Sequence, residues 1–126
     1  MTLYSDPDHE VIYCILELLP TVEEALQHMT KQIDELRLEG AKTLFHEATQ
    51  AIMSIASNFI LLTTEQDAMA SLPSAVHIRE AIGVVIDGFE AGDLQFIHTA
   101  LLEQLLPVFR MWRQQVEHLL QPQIMS

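Results

Sequence analysis

Six histidines are spread along the chain, at His9, His28, His46, His77, His98 and His118. Imidazole is a common metal ligand, so their spacing is the first thing to test. A di-iron bundle draws Glu-x-x-His pairs from two helices, and a zinc-binding helix needs His-x-x-x-His or HExxH; the sequence holds neither. Glu24 and His28 stand about one helical turn apart and make an ordinary surface pair, because two ligands do not close a metal site. The acid neighbours Glu23–Glu24 and Asp34–Glu35 point about 100° apart on a helix and cannot share a proton as a catalytic dyad does. Glycines stand singly at 40, 83, 88 and 92, with no phosphate loop and no G-x-S-x-G elbow. Cys14 lies in the apolar run VIYCILELL, which predicts a buried, reduced thiol with no base beside it. No catalytic residue, metal ligand or cofactor is assigned, and the chain is expected not to be an enzyme.

The elements that carry these residues follow from apolar spacing. Val11, Ile15, Leu18, Val22, Ala25, Met29, Ile33 and Leu36 recur at steps of three and four and share one helical face. That phase runs through Pro20 of ELLP without a slip, which predicts one long helix over about 8–39, kinked where the proline frees the carbonyl of Leu16. The competing reading starts a new helix at Thr21, whose TVEE matches a capping box. QLLP repeats the device near the C-terminus. Leu94, Ile97, Leu101, Leu105, Val108, Trp112, Val116 and Leu119 keep the rhythm across Pro107 and predict a second long, kinked helix over about 93–121, with Trp112 as a core anchor. Gly92 and Asp93 supply a helix stop and an N-cap.

Between them, Ala41, Leu44, Ala48, Ile52, Ile55, Phe59 and Leu62 predict a helix over about 41–64, opened by a break at Gly40. TTEQDAMASLPS predicts a loop, and Ile78, Ile82, Val85 and Phe89 a helix over about 73–91, in which Gly83 implies close approach of a neighbour. Four amphipathic helices in one domain, residues 1–126, imply an all-α, antiparallel four-helix bundle.

Around each proline the apolar arc widens. Ile12, Leu16 and Leu19 flank the stripe of the first helix, and Leu102, Leu106 and Phe109 that of the last, beyond the arc a helix with one wet face needs. The kinked helices wrapping the core more fully would cover this surplus; so would a homodimer, or an apolar segment of a partner protein. Those six residues are the candidate partner-binding set.

Apolar residues make up 49% of the chain and charged residues 19%, a globular composition. The formal net charge is −12, and residues 1–40 hold nine acids against Lys31 and Arg37. Such a field repels phosphate backbones and anionic lipid, so neither nucleic acid nor a membrane is expected as a partner; a solvated face, or a surface for a basic partner, accounts for the acidic first third. The N-terminus lacks the basic region of a signal peptide, and a soluble protein of a reducing cytoplasm is expected.

The stretch VVIDGFEAGDLQFIHTALLEQLLPVFRMWRQQVEHL resembles the closing helix pair of the FliS-type flagellar export chaperones, through the turn at Gly92 and Asp93 and the set Phe109, Arg110 and Trp112. Tyr4, Ser5 and Pro7 loosely echo that family's N-terminal signature. The LLP helices and EAGD turn also resemble small acidic helical proteins of Gram-positive bacteria of unknown function. The chaperone resemblance implies a small cytoplasmic bundle that holds a disordered helical segment of a partner against its apolar surface. The expectation is therefore a non-catalytic, bacterial, chaperone-like interaction module. A self-associating homodimer is the alternative, and a small metal-binding helical protein stands below both.

Overall fold

Apolar stripes at three- and four-residue steps leave water only against one another, and rods of this length joined by short turns meet that need as a bundle. The computed structural model describes residues 7–125 and is an all-α four-helix bundle. Helices α1 (Pro7–Asp34), α2 (Leu38–Leu62) and α3 (Glu65–Ala91) precede a fourth rod made of α4 (Leu94–Ala100), a π-helical turn (Leu101–Leu105) and α5 (Leu106–Ile124). Short turns at 35–37, 63–64 and 92–93 reverse the chain, so successive rods run antiparallel. α1 packs on α2 and on the fourth rod, and α3 packs on the fourth rod; the seam between α2 and α3 is the thinnest of the four.

Pro20 lies inside α1, and the helix continues through it. Thr21 starts no new helix: its hydroxyl donates to the Glu17 carbonyl at 3.3 Å instead of capping an amide. The core seam of α1 is Ile12, Ile15, Leu19, Val22, Leu26, Met29 and Ile33, a strict three-four alternation. α1 stops at Asp34, short of the expected end at Glu39. The Leu36 amide donates to Ile33 at 3.0 Å and the Arg37 amide to Gln32 at 2.8 Å, with Leu36 in the left-handed region at φ 60°. Leucine is disfavoured there, so no residue type announced this turn. Gly40, the expected break, lies within α2, where an added Cβ would meet Gln32 Oε1 at 2.6 Å.

The predicted loop before residue 73 is helix. Thr64 caps α3 by accepting from the Asp67 amide at 3.1 Å, Glu65 and Asp67 favour the positive helix end, and Pro73 sits in the interior. The turns before Pro73 bury only Ser71, so they carry no core stripe by which the sequence announces a helix, and Pro73 has the look of a first-turn proline. In the fourth rod the i→i+5 turn bonds the Leu106 amide to Leu101, just before Pro107, which has no amide to give. The turn holds an extra residue and rotates the phase. Leu105 and Leu106 are both buried, and beyond them Phe109 and Leu120 enter the core where Val108 and Leu119 were expected.

Gly88, not Gly83, marks the close approach between helices. A Cβ at Gly88 would lie 2.7 Å from Ile97 Cγ1 and 2.9 Å from Phe96 Cδ1, whereas one at Gly83 meets nothing within 4 Å. Two substitutions check this in thermal or urea unfolding. Gly83→Ala is expected to stabilise by about 0.5–1 kcal/mol through helix propensity alone. Gly88→Ala is expected to destabilise despite the same gain, since Ile97 is fully buried and has no room to retreat.

Candidate functional site

The structure places four of the six expected contact residues inside the bundle. Ile12, Leu19, Leu106 and Phe109 are core residues, Leu16 is half-buried against them, and Leu102 alone is exposed, at 44%. They do not form an exposed face. The cause is two-sided packing: α1 lies between α2 and the fourth rod, and the fourth rod between α1 and α3, so each covers a wide arc within the monomer. Phe109 and Trp112 pack with ring centroids 5.9 Å apart. On the α1–α5 seam, Arg110 Nε reaches Glu23 Oε2 at 3.3 Å, Arg113 Nη1 reaches Glu23 Oε1 at 3.1 Å, and Arg113 Nε reaches Glu117 Oε2 at 3.1 Å. Partial burial opposes the charge on Arg113, but hydrogen bonds and charge from Glu117 and then Glu23 outweigh it and hold the guanidinium above its ordinary range. The Phe109, Arg110 and Trp112 set thus ties α5 into the bundle.

The histidines do not converge. Among the described residues no group of three or more His, Cys, Asp or Glu side chains is placed to hold a metal ion. His98 Nε2 lies 3.0 Å from Asp34 Oδ1, joining α4 to the end of α1. Cys14 is exposed, contrary to the expectation of burial, because the seam runs through Ile12 and Ile15 and turns residue 14 outward. Tyr4 and Ser5 lie outside the described residues.

The surplus apolar surface is elsewhere, on α2 and α3. α3 buries Ser71, Ile78, Ala81, Val85 and Gly88, mostly small residues, and leaves Met69, Leu72, Val76 and Ile86 exposed. At about 100° per residue these four share an outward arc of roughly 100°. An 18-residue window of α3 has mean hydropathy 1.2, yet only 22% of it is buried. The arc borders a cleft of about 170 Å³ along the thin seam, walled by Thr49, Ile52, Met53 and Ala56 of α2 and by Ala75, Ile78, Arg79 and Ile82 of α3, with Trp112 also lining it. Met53 and Ile60 extend the apolar rim on α2. Arg79 is the one charged side chain that lines the cleft. Thr49 Oγ1 is buried without a hydrogen-bond partner among the described residues.

The cleft offers a shaped, mostly apolar surface. Over residues 10–115 the chain matches the family described as a domain of unknown function, DUF8042. It belongs to that family. No curated protein and no solved structure matches it. The matched span of this DUF8042 chain takes in both walls of the cleft and Trp112.

Met69 and Leu72 lie in the expected loop, so only the helical structure of residues 65–72 joins them to Val76 and Ile86 as one face at helical spacing. Truncations separate the two surfaces. Leu106→Ala is expected to cost about 2–5 kcal/mol in urea unfolding, as a core cavity does, and Leu72→Ala less than about 1 kcal/mol, because its side chain is exposed.

Proposed function

We propose that this DUF8042 chain is a non-catalytic, chaperone-like interaction module that holds an apolar helix of a partner protein in the groove between α2 and α3. One observation supports the reading above all others: large apolar side chains line the outer arc of α3 beside an open apolar cleft. Contiguous apolar surface of this kind on a folded chain serves recognition, and a groove between two helices suits an amphipathic helix with anchors at three- and four-residue spacing. A lipid bilayer is a poorer occupant for α3, since Arg79 and Glu80 at its middle would each cost about 2.5–3.5 kcal/mol in hydrocarbon. The expected setting is a bacterial cytoplasm.

Site-specific photocrosslinking in the source cell tests the proposal. A photoreactive residue at Val76 is expected to yield a discrete product whose partner segment, sequenced by mass spectrometry, carries apolar residues at helical spacing. The same group at Glu24, on the opposite side of the bundle, is expected to give none. A product at Val76 of twice the chain mass would support the homodimer instead. Equal yields from both positions, or none from Val76, would overturn the docking groove.

A further inference from the structure

The cleft is more selective than an apolar patch. Its volume of about 170 Å³ is close to that of engineered cavities of about 150 Å³ that admit one benzene-sized group. It therefore takes one large side chain, such as a phenylalanine or leucine, set against Trp112. The cation beside it is unspent. The chain has six Lys and Arg in total. Arg37, Lys42, Arg110 and Arg113 pair with acids, and Lys31 stands in the last turn of α1 at the negative helix end. Arg79 has no acid partner among the described residues, although the chain carries 18 acids. α2 and α3 run antiparallel from the turn at 63–64, which sets Thr49 and its unpartnered hydroxyl at the level of Arg79. An apolar pocket with a free guanidinium at its lip, and no acid in its lining, is complementary to an apolar group beside a carboxylate.

A second copy of the chain fits poorly. Docking by this arc about a two-fold axis would bring the two Arg79 side chains within about a turn of each other near the arc's midpoint, like charge on like. The overall charge of −12 does not bar an acidic occupant, because exposed charges more than about 8 Å away are largely screened at physiological salt.

We infer that the partner segment is an acidic amphipathic helix, whose large apolar anchor fills the space over Trp112 and whose glutamate or aspartate, about one turn away, meets Arg79. The inference rests on the docking reading of the α2–α3 cleft. Trp112, the single tryptophan of the chain, lines the pocket and reports occupancy by its fluorescence. The probes are two synthetic helical peptides free of tryptophan, with leucines at three- and four-residue spacing around one phenylalanine. They differ only in a glutamate or a glutamine one turn from that phenylalanine. The glutamate peptide is expected to bind about three- to tenfold more tightly. Arg79→Gln is expected to abolish the difference and Arg79→Lys to keep part of it, with unchanged melting curves, since Arg79 supports no internal ion pair. Equal binding of both peptides by the unaltered chain, or a preference that survives in Arg79→Gln, would overturn the acidic partner while leaving the groove. Failure of both peptides to perturb Trp112 at millimolar concentration would remove the groove and the acidic partner together.

Discussion

The bundle is governed by an inequality between its seams. α1 and the fourth rod each lie between two neighbours and cover wide arcs with large side chains, Leu19, Leu26, Met29, Leu105, Phe109 and Trp112 among them. α3 buries mostly small residues, Ile78 excepted, and at Gly88 its approach to the fourth rod is so close that a methyl group would strike Ile97. Helix axes come near only where side chains are small, so α3 is drawn to one neighbour, while its contact with α2 stays slight. A fully buried Leu, Val or Met contributes about 1.5–3 kcal/mol relative to an exposed one. α3 leaves several such residues in water, and that stabilisation is available only to something that covers them.

Proline was a better guide to the fold than glycine. The chain stays helical through both Pro20 and Pro107, because a helix with tertiary cover on two sides tolerates one lost hydrogen bond, but only at Pro20 does the core alternation run on without a slip. Gly92 and Asp93 formed the expected stop and cap, with the Asp93 carboxylate accepting from the Phe96 amide at 3.0 Å. Elsewhere local chemistry misled. Leu36 took a conformation leucine avoids, Gly40 entered a helix, and Pro73 is the ninth residue of one. No single-residue preference foretold these, since each depends on where the neighbouring helix lies.

The candidate site was legible only in part. Ile12, Leu16, Leu102 and Leu106 show wide apolar arcs in the sequence, but two-sided packing uses most of that surface, and the spacing does not say which helix is left uncovered. A wide arc on α1 is consumed when two neighbours flank it; a wide arc on α3 is not when one neighbour stands off. The π-helical turn added a second source of error by rotating Leu106 and Phe109 inward past the register that a constant helical period assigns. The pairing of Arg79 with a pocket over Trp112 is a purely tertiary fact, joining residues far apart in the chain.

A docking groove on this bundle requires that the outer arc of α3 be bare in solution. The methionines report on it directly: Met53 lines the cleft, Met69 stands exposed on the outer arc of α3, Met29 is fully buried, and Met125 is exposed near the C-terminus. Methyl-labelled methionine spectra recorded with a soluble paramagnetic agent, over a dilution series of the chain, would read each site at once. Met53 and Met69 should broaden as Met125 does at every concentration while Met29 stays sharp. Protection of Met53 and Met69 at the level of Met29, at the lowest concentration, would mean that the chain covers this face itself and leaves no groove for a partner.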